Sequence, residues 1–237
     1  MEPSDFLDNL KAEHSEWLVL FNDQYLRNWE NLLSSDNEAA MTEAYVRRIL
    51  QQHGVTVEPN EDLTGNTRQP DFKCQKEGYK FYVEVTCINI EKVVKETGLP
   101  HHLPDHKARH YSLLNDAFWD ACKRKASQCG NCDASVIIAV GTFHYRASCT
   151  CLAKPHVEML LTGETSIACN LDTKKGSVVG APYQITGLRS AVFLNNSGFA
   201  RDSISALLVC GLGAEPPTIL GIRHPNPKHS FKTANIA

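Results

Sequence analysis

The run Ala134–Phe143, ASVIIAVGTF, constrains the fold more than any other stretch. Its apolar residues are nearly continuous, where a half-exposed strand would alternate. A strand of that kind is covered on both faces. It belongs in the middle of a sheet with helices on either side. The elements before it agree. "SSDNEAAMTEAYVRRILQQHG" reads as a helix, with a capping box at Ser35 and Glu38 and a stop at Gly54. Val55–Glu58 is a short strand. "PDFKC" and "YKFYVEVTCI" read as a hairpin turning at "QKEG". A helix from His106 to about Cys129 follows, with the stripe Leu114, Phe118, Cys122, Lys125, Cys129. The order helix, strand, hairpin, helix, strand predicts an α/β fold: a central mixed β-sheet flanked by helices.

Other segments read less regularly. Ser4 to about Leu33 carries the apolar stripe Leu7, Leu10, Trp17, Phe21, Tyr25, Leu32, which predicts one long amphipathic helix. That stripe packs on its own domain or forms a homodimer. "EKVVKETGLPHHLPD" reads as irregular. Residues 146–185 are polar and turn-rich, with a short helix at "AKPHVEMLL". "SISALLVCGLG" and "PTILGIRH" are late strands. The expected division is an N-terminal helical extension over 1–35 and an α/β domain over 36–237. That domain has its core at 38–145, an irregular insertion at 146–185 and C-terminal strands within 186–237.

Bulk properties exclude some classes. No apolar run approaches the ~18 residues of a membrane span, so no membrane partner is expected. The acidic start MEPSDFLDNLKAEH has no signal-peptide pattern, so the expected location is cytoplasmic. Net charge is −3. Any nucleic-acid site must then be a local basic patch.

Three carboxylates stand where acids are costly. Glu43 falls on the apolar stripe of its helix, three before Val46 and seven before Leu50. Glu84 sits inside a strand, sharing a face with Tyr82, Thr86 and Ile88. Asp71 opens the partner strand. Three acids from three elements can converge at one end of the sheet. Hard oxygen donors with open positions suit Mg²⁺ or Mn²⁺.

These residues resemble the PD-(D/E)XK nuclease superfamily. The likeness rests on Glu43 in MTEAYVRRIL, Pro70-Asp71 in QPDF, and Glu84-Val85-Thr86 in YVEVT. It spans roughly residues 38–142 and includes the helix AFWDACKRKASQ and the strand SVIIAV in the family's order. The resemblance implies a restriction-endonuclease-like core and a metal-dependent nuclease acting on DNA ahead of RNA, in bacterial defence, restriction or repair. It implies that Asp71, Glu84 and the Val85 carbonyl hold Mg²⁺ or Mn²⁺, with Glu43 on the metal or its water. The family's lysine is replaced by Thr86, whose hydroxyl can orient water but brings no charge. Lys125, which interrupts an apolar stripe, is the expected substitute, with Gln128 beside it. Lys73, two residues after Asp71, is the second choice. The alternative is a catalytically degenerate nuclease-like protein that binds nucleic acid or a protein partner.

Two further clusters stand out. Lys107 and Arg109, among His102, His106 and His110, form a basic patch suited to backbone phosphates and to a lid. Cys129 and Cys132, with Cys149 and Cys151, would form a four-thiolate zinc site only if the strand between them folds back. Free cytosolic thiols are the other reading, and the expected one. No GxxxxGKS/T loop is present.

Overall fold

A computed structural model describes residues 3–63, 69–98, 101, 111–129, 132–151, 166–172, 175, 177–185, 192–195, 198–213 and 216–231. In chain order the helices are α1 (Pro3–Val19), α2 (Asp23–Ser35), α3 (Asn37–Gln52), α4 (Ile90–Thr97), α5 (Tyr111–Gln128) and α6 (Tyr145–Cys151). The strands are β1 (Thr56–Pro59), β2 (Phe72–Lys76), β3 (Tyr79–Cys87), β4 (Ser135–Thr142), β5 (Ser166–Asp172), β6 (Ser177–Ile185), β7 (Leu194–Asn195), β8 (Gly198–Phe199), β9 (Ala206–Gly211) and β10 (Thr218–Arg223).

The protein is α/β, built on a six-stranded mixed sheet of order β1-β2-β3-β4-β9-β10. The β1–β2, β2–β3 and β9–β10 pairs are antiparallel; β3–β4 and β4–β9 are parallel. β4 lies in the middle and every one of its residues is buried. Alternation sorts the side chains between two cores. Phe81, Val83, Val85, Ile137 and Ala139 face α1, α2 and α3. Ile138, Val140, Leu207 and Val209 face α4 and α5, packing on Val93, Phe118 and Cys122. By the same alternation Glu84 and Thr86 lie on the α5 side. The β2–β3 turn places Glu77 at φ 50° and Gly78 at φ 77°. That is the positive-φ pair a two-residue hairpin requires.

Several expected elements differ. The single N-terminal helix is two. The chain turns at Leu20–Asn22, and the Asn22 side chain caps α2 by accepting from Gln24 N–H at 2.8 Å. Asx capping broke a stripe that periodicity alone would continue. The cap of α3 is Asp36, accepting from Ala39 N–H at 3.0 Å, while Ser35 still belongs to α2. Glu38 reaches across the chain instead and accepts from Ile90 N–H. With Asn89 donating to Asp36 at 3.0 Å, it ties α4 to the start of α3. The segment read as irregular is therefore helical over Ile90–Thr97, ending at Gly98 with φ 67°. The supposedly irregular insertion contains α6 and the β5–β6 hairpin. The stretch AKPHVEMLL lies outside the described residues.

Leu10, Trp17 and Trp29 are buried in the same core as α3 and the sheet, so the N-terminal stripe is used within the chain. Val19, Leu20 and Phe21 remain exposed at the α1–α2 turn. No helix among the described residues is long and apolar enough to cross a membrane.

Candidate functional site

β2 and β3 pair with Phe72 opposite Val83. Asp71, one residue before the first pair, therefore arrives beside Glu84. The Asp71 carbonyl accepts from Asn60 N–H at 2.9 Å, and Asn60 Nδ2 donates to the Pro70 carbonyl at 2.9 Å. These bonds fix the chain where it enters the sheet. The Asp71 carboxylate accepts from Val85 N–H at 2.5 Å. Val85 thus contributes an amide that orients Asp71.

Lys125 comes to the same place from α5. Its Nζ donates to Glu84 Oε1. The two side chains are 21% and 5% exposed. Phe118, Ala121, Cys122 and Ala126 seat α5 on the sheet. The lysine that interrupts their stripe points inward because a carboxylate receives it.

Glu43 reaches the cluster from α3 on the opposite side of the sheet. Burial raises its pKa well above the ordinary carboxylate value, and the neighbouring Asp71, Glu61 and Glu84 add to the rise. Asp71 is pushed up to about 8, by burial first and then by Glu84, against the opposing pull of Lys125 and the Val85 amide. Burial also raises Glu84, with Lys125 resisting. For Lys125, burial works to lower the pKa. Asp71, Glu84 and Glu43 outweigh it, so the ammonium is held above its ordinary range. The cluster is thus a desolvated knot of acids with an ammonium against it. Burial keeps protons on Asp71 and Glu43 at neutral pH, and a cation bound there would displace them.

The donor set is hard oxygen, which fits Mg²⁺ or Mn²⁺ ahead of soft ions. Among the described residues, no three acidic, His or Cys side chains are already gathered as metal ligands. The donor chemistry fits a divalent cation; ligand geometry is not preformed.

A groove of about 620 Å³ opens over the cluster. Its walls include Glu43, Val85, Thr86 and Lys125. Lys92 and Lys95 of α4 and Arg124 of α5 stand along it, with the acids Asp36, Glu91 and Glu96. Periodicity gives no reason to place α4 here, because the segment is short and two prolines, Pro100 and Pro104, follow it.

The other expected residues fall elsewhere. Lys73 pairs with Glu58 across β1–β2 at 2.9 Å and does not join the cluster. Gln128 is half-buried one turn farther along α5 and is not part of the groove wall. Lys107, Arg109, His102, His106 and His110 lie outside the described residues. The zinc reading required a fold-back between the two cysteine pairs. β4 instead runs unbroken between them, eight residues spanning about 26 Å. Cys129 and Cys132 are free thiols, both raised in pKa chiefly by burial.

Glu61 was missed. It follows β1 in a loop, where no periodicity singles it out. It nevertheless lines a small cavity together with Glu43 and Asp71.

Comparison with known protein families, curated proteins and solved structures finds no match to this chain.

Proposed function

We propose that this chain is a metal-dependent nuclease that hydrolyses phosphodiester bonds, in DNA ahead of RNA. The observation that carries the reading is the meeting of Lys125 with Glu84. A lysine two residues after the strand carboxylate would occupy this place in a PD-(D/E)XK site. Here Thr86 holds that position, and α5 supplies an ammonium to the same carboxylate. The order α3, β1, β2, β3, α4, α5, β4, in which α4 is an added short helix, supports a restriction-endonuclease-like core.

Asp71, Glu84 and Glu43 are the residues that would hold Mg²⁺ or Mn²⁺. The bound ion would supply positive charge to the phosphate and lower the pKa of a water. The protein's own groups do the rest. Lys125 stays protonated at neutral pH, because its acidic neighbours raise its pKa. It therefore acts as a donor and a fixed charge, not as a base. From the groove wall it orients the attacking water and offsets charge on the phosphate as the bond to the leaving oxygen breaks. The Thr86 hydroxyl, in the same wall, adds a second orienting group. The Val85 amide keeps Asp71 turned toward Glu84. Lys92, Lys95 and Arg124 take the flanking phosphates.

Thr86 also favours a second reading, a catalytically degenerate protein that binds nucleic acid without cutting it. Cleavage assays separate the two. Plasmid, linear duplex, single-stranded DNA and RNA are incubated with the protein in Mg²⁺, Mn²⁺ or EDTA, beside Glu84→Ala. The nuclease reading expects cutting that needs the ion and disappears in Glu84→Ala. Binding without cutting under every condition supports the degenerate reading.

A further inference from the structure

A second cavity, of about 20 Å³, lies against the acids, between them and the N-terminal helices. It has room for one small ion or one water. Glu43, Glu61 and Asp71 line it together with His14 and Trp29. His14 sets this cavity apart from a simple cluster of acids. It is 1% exposed, and its Nδ1 has no hydrogen-bond partner in the protein. The ring is clamped between Trp17 and Trp29, with centroids at 5.2 and 4.8 Å. A buried nitrogen without a partner is costly, and such an atom calls for an occupant.

Glu61 is held for the same place. Asn28 Nδ2 donates to its carboxylate at 3.3 Å, and Tyr25 donates through its hydroxyl to its backbone carbonyl at 3.4 Å. Both anchors come from α2. The loop after β1 is thus tied to the N-terminal helices, and α1 supplies the imidazole.

We propose that His14 and Glu61, together with Glu43 and Asp71, form a cation-binding cell beside the groove that takes Mn²⁺ ahead of Mg²⁺. The preference follows from the nitrogen donor, which Mn²⁺ accepts more readily than Mg²⁺ does. The four side chains are not yet gathered as ligands, so binding must draw α1, α2 and the Glu61 loop together. The N-terminal helices are then part of the site, not an appendage. The inference rests on the metal-site reading above, because it shares Glu43 and Asp71 with it.

The test is calorimetric titration of the full chain, stripped with EDTA, using MnCl₂ and MgCl₂. Wild type is compared with Glu61→Gln, His14→Phe, Asn28→Ala and Glu84→Ala. Thermal melts in EDTA establish that each variant is folded. The expected result is Mn²⁺ bound at least tenfold more tightly than Mg²⁺. Glu61→Gln should weaken Mn²⁺ at least tenfold, Asn28→Ala by less, and His14→Phe should erase the preference. Asn28→Ala leaves every group of the cavity in place, so it carries the test should Glu61→Gln not fold. Wild-type affinity in Glu61→Gln and Asn28→Ala, with binding lost in Glu84→Ala, overturns the inference and leaves the nuclease reading standing. Equal affinity of wild type for the two ions overturns the role of His14. No cation bound by wild type overturns both proposals.

Discussion

Lys125 of α5 donates its Nζ hydrogen bond to Glu84 of β3, joining a helix and a strand 41 residues apart in sequence. Glu84 is buried, and Asp71 and Glu43 act on it and on each other. Removing the ammonium leaves a carboxylate in a desolvated site without its partner. Lys125→Met is therefore expected to cost about 3 kcal/mol of stability at pH 8 in EDTA. The loss should shrink toward pH 5, where the acids can take protons instead. Urea melts at the two pH values check this. An equal loss at both would mean that Lys125 contributes by packing.

Asp71 gives a signed pH dependence. Its folded pKa, about 8, lies above the ordinary 3.8. The folded state therefore binds the proton more tightly than the unfolded chain does. That contribution to stability is complete below about pH 4 and is lost as pH rises toward 8, by up to about 1.4 kcal/mol per unit. In EDTA, wild type should melt lower at pH 8 than at pH 5.5. Asp71→Asn, whose amide oxygen can still accept from Val85 N–H, should flatten that slope. A slope unchanged in Asp71→Asn would assign it to another group.

His14 works in the opposite direction. Burial, and then the Arg47 charge, lower its pKa from 6.5 to about 3. The unfolded chain takes the proton first. Stability carried by neutral His14 is present above pH 6.5 and drains away as pH falls toward 3. The difference in unfolding free energy between wild type and His14→Phe should therefore turn against wild type as pH drops from 7 to 4. A constant difference over that range would contradict the burial of a neutral ring.

Gly141 fixes how closely α3 approaches β4. A Cβ there would lie 2.5 Å from Thr42 Cγ2 and 2.9 Å from its Oγ1. Thr42 precedes Glu43 on α3, so the helix must shift and carry Glu43 with it. Gly141→Ala should destabilise the fold by roughly 1–3 kcal/mol. It should also weaken divalent-cation binding, although residue 141 is not a ligand. Binding at wild-type strength would show that α3 has slack here.

The sequence was most informative where a residue broke a pattern. Lys125 interrupted an apolar helix stripe and Glu84 interrupted a buried strand, and the structure joins them. Both irregularities carry a desolvation cost that only a partner offsets, so each foretold the other. The central place of β4 followed from its unbroken apolar run. Glu61 left no such trace, because a loop acid is ordinary until the fold brings it beside other acids. The break at Leu20–Asn22 was hidden by a stripe whose period continues through the turn. α4 was hidden by Pro100 and Pro104, which follow it closely and give the segment the look of a loop. Its anchors, Glu38 and Asp36, act across more than 50 residues, a distance at which periodicity says nothing.

The central claim is that Lys125 stands in for the lysine that Thr86 displaces. Both residues border one groove beside Glu84. The direct test is the rate of Mn²⁺- or Mg²⁺-dependent DNA cleavage by wild type, Lys125→Ala, and the double variant Lys125→Ala with Thr86→Lys. The account expects Lys125→Ala to lose at least a hundredfold in rate, on the order of one electrostatic catalytic group. It expects the double variant to recover at least tenfold of that loss. Cleavage by Lys125→Ala at the wild-type rate would contradict it, and so would a wild type that binds DNA but never cuts it.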